Sequence, residues 1–352
     1  MDLTNSTNHL VNVSTLVRNS THLSASASKT TVIIALPLFI SFIIGTITNG
    51  LYLWVLKFKM KKTVNTLLFF HLILSYFIST LILPFMATSY LQDNHWNFGT
   101  AMCKVFNGTL SLGMFASVFF LSTISLDRYL LTLHPVWSQQ HRTPRRASTI
   151  ILGVWISAAV LSMPFLVFRE THKDHKGTVI CRNNYAISTN WESKEIQALR
   201  KWIHVSCFIS RFLLGFLLPF FIIIFCYGRV AHKIKERGLV KSSKPFKVMM
   251  TAIISFFVCW IPYHVLQGLI LTKNESLLLQ LTLILTVITT SFNTIFSPTL
   301  YLFIGENFKK VFKKSILVLF ESTFSEDSST ERTQNINSGA GIQTLDTVSI
   351  IP

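Results

Sequence analysis

Charge is what this sequence most lacks. Only 13% of its 352 residues are Asp, Glu, Lys or Arg, whereas a soluble domain carries about 25%. Half of the residues are hydrophobic. A soluble globular domain is therefore a poor fit. Acids are the scarcer sign, 15 against 32 Lys and Arg, and the formal net charge is +17. Such a surplus first suggests nucleic acid. The bases sit on alternate short loops between apolar segments rather than along one face, which argues against a nucleic-acid partner. No C-x-x-C or other metal spacing occurs among the five cysteines, so no metal or cofactor is expected. There is no nucleophile elbow and no pair of aspartates inside an apolar segment, and His172 and His175 read as solvated loop residues. An enzyme is not expected. The inverted repeats of a transporter are also missing. The first thirty residues have no apolar core, so no cleavable leader is expected and the first apolar segment would itself direct insertion.

What the chain does have is apolar length. A helix that crosses a bilayer needs about 20 apolar residues. Seven segments qualify: Val32–Leu56, Val64–Tyr90, Met102–Leu126, Ser148–Phe168, Trp202–Val230, Val248–Leu271 and Leu277–Ile304. The expected fold class is an all-α membrane protein, a seven-transmembrane helix bundle. Residues 305–320 follow as a short amphipathic helix, with Phe308, Val311, Phe312 and Ile316 on one face and lysines opposite. The expected organisation is an outside tail (1–31), the bundle (32–304), this interfacial helix (305–320) and a polar tail (321–352). The last tail mixes Ser and Thr with Glu and Asp and suits modification by kinases and capture by a desensitising partner.

Lysine and arginine set the orientation. Lys57, Lys59, Lys61 and Lys62 follow the first segment, Arg142, Arg145 and Arg146 the third, Lys233, Lys235 and Arg237 the fifth, and Lys309, Lys310, Lys313 and Lys314 the seventh. Basic loops stay in the cytoplasm. An odd number of crossings then puts the first tail outside, in the plasma membrane. That tail carries glycosylation sequons at Asn5, Asn12 and Asn19, and an outer loop carries another at Asn274. Cys103 and Cys181 fall at the outer edges, in an oxidising compartment, and are expected to form a disulfide.

Polar residues inside a bilayer are costly and call for a reason. Asp127-Arg128-Tyr129 ends the third segment. Cys259-Trp260-Ile261-Pro262 lies in the sixth, and Pro298-Thr299-Leu300-Tyr301 in the seventh. Asn49, Trp96 to Gly99, Trp155, Pro219 and Tyr227 complete an ordered series. With these spacings the chain resembles rhodopsin-like (class A) G-protein-coupled receptors over nearly all its length. Leu130–Trp137, Lys241–Val248 and Gly305–Phe308 resemble the chemoattractant receptors of the formyl-peptide and anaphylatoxin group.

The resemblance implies roles. Asp127, Arg128, Tyr129, Tyr227 and Tyr301 would serve activation and coupling to a heterotrimeric G protein of the inhibitory type, with receptor kinases and arrestin as further partners. In the resting state Asp127 would hold Arg128. Trp260, Pro262 and Pro298 would form the toggle and hinges, since a proline removes a helix hydrogen bond. The alternative within the same fold is a decoy that binds ligand without signalling; a transporter or channel is the alternative of another class.

The pocket is read from this chain. The third segment has no acid below Cys103, unlike amine receptors. Arg211 lies roughly 14 Å into the fifth helix from Trp202, at 1.5 Å per residue. An arginine there costs about 2.5–3.5 kcal/mol, and no intramembrane acid is placed to offset it. Arg211 is expected to receive an anionic group of an extracellular ligand, a peptide carboxylate or fatty-acid head, with Ser111, Tyr263, His264 and Gln267 around it. Ser111 and Cys207 stand where formyl-peptide receptors have further charges, so formyl peptides themselves are not expected. The family's sodium-binding aspartate aligns with Tyr76, and its asparagine before the last proline with Ser297. No sodium modulation is expected. The first tail has no tyrosine or cysteine and only Asp2 as an acid, which argues against a chemokine ligand.

Overall fold

The computed structural model describes residues 30–175, 177–185, 193–236, 244–272, 277–303 and 308–318. Among the described residues seven helices are long and apolar enough to cross a membrane. Spans one to five run Thr30–Lys59, Val64–Leu91, Gly99–Leu133, Pro144–Phe168 and Lys194–Glu236. Spans six and seven belong to the helices Lys244–Leu271 and Leu277–Phe303. The protein is an all-α membrane bundle.

Span three is its axis. Two-thirds (67%) of its apolar window is buried inside the protein, against 22% for span four. Phe115 and Phe120 of span three and Phe256 of span six are among the largest side chains fully withdrawn from the surface. Tight crossings seat the axis. A Cβ at Gly113 would overlap Ser79 Oγ of span two, and one at Gly215 would come within 2.7 Å of Phe115. Glycine is needed at both points because the neighbouring helix occupies the space. Outward, span one exposes Leu36, Ile40, Ile43 and Ile47, spaced three to four residues apart on one lipid-ready face. Hydroxyls within the spans are satisfied locally: Ser122, Ser125, Ser162 and Thr286 each donate to the carbonyl four residues back.

Proline shapes the spans as its chemistry dictates. Span two is interrupted at Leu81 and Ile82, just before Pro84, and resumes as Leu83–Leu91. Span five carries a π-helical turn, Leu213–Leu217, just ahead of Pro219. Pro164, Pro262 and Pro298 sit inside their helices.

Three features differ from expectation. Span five begins eight residues before Trp202, because Lys194 to Lys201 include good helix formers that hydropathy does not register. Span three extends from Gly99 to Leu133, past Asp127 and Arg128, where the uncharged run ends. The connection after span four is not irregular throughout: β1 (Arg169–Lys173) and β2 (Val179–Asn183) pair as an antiparallel hairpin with Thr171 opposite Cys181. The Cys103–Cys181 disulfide pins this hairpin to the start of span three. At the far end, residues 308–318 form a helix whose Phe308 and Phe312 pack on Tyr52 at ring separations of 6.1 and 5.4 Å. Lys309, Lys310, Lys313 and Lys314 are exposed on its other side.

Candidate functional site

Two polar regions stand out at opposite ends of the bundle. At the disulfide end, a cavity of about 290 Å³ runs down between the spans. Arg169, Tyr263 and Gln267 are among its lining residues, as are Ser111, Trp260 and Tyr76. The β hairpin places Arg169, whose Nη1 donates to the Cys181 carbonyl at 3.1 Å.

Arg211 is buried at the edge of this region, 5% exposed. Its Nη1 donates to Tyr263 Oη at 2.9 Å and to Gln267 Oε1 at 3.2 Å. Its guanidinium lies over the Phe165 ring, 4.1 Å from the centre. Every one of these partners is neutral. Neither Arg211 nor Arg169 forms an ion pair among the described residues. The Nε of each is buried without a hydrogen-bond partner there. Burial pulls the Arg169 guanidinium below its ordinary pKa; Tyr185, Tyr263 and Tyr90 oppose that, and Arg211 adds to it by like-charge repulsion. Burial likewise pushes the Tyr185 phenol up, against the pull of both arginines. Two cations thus share one partly dry, acid-poor region, an arrangement that a carboxylate would relieve.

Of the residues expected there, Arg211, Tyr263 and Gln267 come together through direct hydrogen bonds, and Ser111 lines the cavity. His264 does not line it. It is buried against Phe212 and Phe216, at ring separations of 5.5 and 4.7 Å. His204 stacks on Tyr185 at 4.3 Å. Trp260 lines the cavity, with the Tyr263 ring edge-on to it at 5.4 Å. A chain of contacts therefore leads from Arg211 through Tyr263 to Trp260, two residues before Pro262. Sequence reasoning missed Arg169 and Phe165. A base as the first residue after an apolar span, on the outer side, was the available signal.

The other end carries Asp127-Arg128-Tyr129. Tyr129 packs between His134 and Phe225, both at 5.9 Å. Arg128 lies within the electrostatic reach of Tyr227, whose side chain hydrogen-bonds Ser125. The expected Asp127–Arg128 pair is not what the structure shows. The Asp127 carboxylate binds Arg142 instead, with Nε to Oδ1 at 2.7 Å and Nη2 to Oδ2 at 3.1 Å. Side chains of adjacent residues on a helix point about 100° apart, whereas the chain turns through the short helix Pro135–His141 and brings Arg142 squarely onto Asp127. That short helix exposes Val136 and Trp137. The Tyr301 and Ser297 side chains, Asn5, Asn12, Asn19 and Asn274 lie outside the described residues. Pro262 and Pro298 are buried within their helices.

Comparison with known proteins narrows the reading. Residues 48–301 match the family described as 7 transmembrane receptor (rhodopsin family). The chain is 83% identical to probable G-protein coupled receptor 33 of Homo sapiens over 334 residues, covering 95% of this chain and all of the relative. The Mus musculus protein of the same name is 70% identical over 338 residues, 96% of this chain and 99% of its own length. Chemerin-like receptor 1 of Mus musculus is 41% identical over 292 residues, 81% of this chain and 78% of the relative. These relatives are signalling receptors rather than enzymes. The chain belongs to the rhodopsin family of seven-transmembrane receptors.

Proposed function

We propose that this chain is a chemoattractant-type receptor whose extracellular ligand presents a carboxylate to Arg169 and Arg211, and whose Arg128 end activates an inhibitory-type G protein. Family membership makes it a multi-pass plasma-membrane protein that signals through G proteins. The ligand class and the G-protein subtype are the further reading. One observation carries the ligand class: a buried and a half-buried guanidinium, Arg211 and Arg169, in one region with only neutral partners among the described residues. The 41% likeness to chemerin-like receptor 1 supports a receptor with an extracellular ligand of its own. The lysine-rich loops at the Arg128 end and the sequons of the first tail support an outside N-terminus.

The coupling path follows from the contacts. A carboxylate that draws Arg211 away from Tyr263 loosens the hydroxyl that positions Tyr263 against Trp260. Trp260 then biases the Pro262 hinge, and the inner half of span six swings. A ligand drives this only by binding the swung state better than the resting one. The decoy reading has Tyr76 in its favour, since the aspartate that the family carries there is missing.

The test is inhibitory G-protein activation in cells that express the receptor, with Arg128→Ala at matched surface level. Basal signal that disappears in Arg128→Ala is the expected result. Equal, background-level signal in both, joined to failure of carboxylate agonists to raise it, points to the decoy.

A further inference from the structure

Arg211 uses only part of its donor capacity. Its Nη1 is taken by Tyr263 Oη and Gln267 Oε1, and Phe165 covers one face of the guanidinium. The remaining edge, formed by Nε and Nη2, donates to no acceptor among the described residues, and its Nε is buried. Half-buried Arg169 repeats the pattern: Nη1 donates to the Cys181 carbonyl, while Nε is buried without a partner there. The two guanidiniums lie within each other's electrostatic reach, and the other ionisable groups that act on Arg169 are three tyrosines. Around Arg211 itself stand His204, His264 and the Cys207 thiol, with no carboxylate among the described residues. The acid next along the chain, Glu170, accepts from Asn184 Nδ2 at 2.6 Å. As the following residue of β1, its side chain leaves the opposite face of the hairpin from Arg169. A buried amine can shed its proton, but a guanidinium cannot. Water satisfies free N–H groups and still leaves two positive charges uncompensated in a partly dry region, which is costly. An anion meets both demands.

We propose that Arg211 holds a chloride ion on its Nε–Nη2 edge, with Arg169 as the second cation, as the counterion of the receptor before its ligand arrives. Geometry selects the class of anion. Arg211 is 5% exposed, so its free edge admits a small ion and not a bulky one. The face of an aromatic ring is negative and repels an anion. With Phe165 on the guanidinium face, the ion has to lie in the guanidinium plane, where the free N–H groups point. A single charge is favoured over a double one because the cost of stripping water from an ion grows steeply with its charge. Chloride is the abundant small monovalent anion outside the cell, on the side where this region opens. Phe165, Arg211 and Tyr263 belong to spans four, five and six, so neutralising Arg211 steadies the point where the three spans meet. An anionic group of a ligand then has to displace the chloride, and its apparent affinity falls as chloride rises.

The chloride site shares Arg211 with the proposed carboxylate contact but does not depend on it, and one experiment separates the two. Thermal melting of the full-length receptor in lipid nanodiscs is followed while gluconate is replaced stepwise by chloride, at fixed sodium and an ionic strength of about 150 mM. Chloride should raise the melting temperature of the parent by about 2 °C or more and then saturate, as binding to the folded state requires. Bromide should substitute for chloride. Arg211→Gln should lose the dependence, and Arg169→Gln should need more chloride for half of the effect. Should Arg211→Gln fail to fold, the parent and Arg169→Gln still decide. Equal melting of the parent in chloride and gluconate overturns the site. So does the same chloride dependence in parent and Arg211→Gln, which marks a general salt effect on the protein surface. A third series uses acetate in place of gluconate, and acetate should compete with chloride. Chloride dependence that is lost in Arg211→Gln, with acetate inert, leaves the halide site standing and removes the carboxylate reading. A parent stabilised by acetate and indifferent to chloride overturns the halide site and leaves the carboxylate reading in place.

Discussion

The Arg211 guanidinium lies over the Phe165 ring, 4.1 Å from its centre, while its Nη1 reaches Tyr263 and Gln267. The aromatic face and two neutral oxygens hold the cation in place without cancelling its charge. Together with Arg169 this leaves positive potential on the side of the bundle where the cavity lies. Agonists found by screening should therefore be acids, and blocking the acid should abolish them. Amidation of a carboxylate agonist, or Arg211→Gln in the receptor, should each cost about thirtyfold or more in potency, the lower end (about 2 kcal/mol) for truncating one side of a buried charge pair. Arg169→Gln should act in the same direction. Concentration–response curves that stay in place on amidation would sink the anion reading.

The path from Arg211 to Trp260 makes a separate demand on Tyr263. Tyr263→Phe keeps the ring against Trp260 and removes only the hydroxyl that Arg211 holds. Binding of a carboxylate ligand should survive within about threefold, since Arg211 then loses a competitor as well as a partner. Basal signalling should change, because the contact that registers Arg211 on the hinge is gone. Parallel radioligand and nucleotide-exchange assays read the two quantities. A Tyr263→Phe receptor with an unaltered basal rate would remove Tyr263 from the path.

The crossing of spans two and three at Gly113 sets a stability prediction. A methyl group there overlaps Ser79 Oγ and comes within 3.0 Å of the Ser75 carbonyl, which is backbone and does not yield. Gly113→Ala should destabilise the purified receptor by about 1–3 kcal/mol. Adding Ser79→Ala should recover part of the loss and not all, because the carbonyl and the residue 79 Cβ remain. Thermal melting in detergent measures both. Equal melting of Gly113→Ala and parent would show that the spans separate more easily than this packing implies.

Different parts of the molecule were legible in the sequence to different degrees, for physical reasons. The spans were readable because a bilayer demands contiguous apolar residues, a signal that needs no partner. Their ends were not, since Lys194 to Lys201 continue a helix in water, where hydropathy is silent. The β hairpin was hidden because five-residue strands with mixed polarity carry little pattern. Arg211 could be singled out by its depth alone. Arg169 could not, because its place depends on the hairpin folding back so that Cys181 offers its carbonyl. The pairing of Asp127 spans fifteen residues to Arg142 and hangs on the turn at Pro135–His141. The family resemblance gave Arg128 as the partner, and the tertiary path of the chain gave another.

Tyr76 leads to the last prediction. It is buried, 4% exposed, and lines the same cavity as Ser117, Trp260 and Asn293. A hard cation binds oxygen ligands but needs compensating negative charge, and a neutral phenol does not supply it. Hydroxyls nearby donate to their own helices, Ser117 to the Met114 carbonyl and Thr294 to the Thr290 carbonyl, so lone pairs are present but no carboxylate is. Exchanging sodium for N-methylglucamine at equal ionic strength should leave agonist affinity and melting temperature unchanged. Tyr76→Asp restores an acid and shortens the side chain, which opens room beside it. If the remaining oxygens keep the geometry of a cation site, that variant should gain sodium dependence, with agonist affinity lowered in sodium buffer. Sodium sensitivity in the parent receptor would mean that the cation finds its charge elsewhere, and the role assigned to Tyr76 would fall.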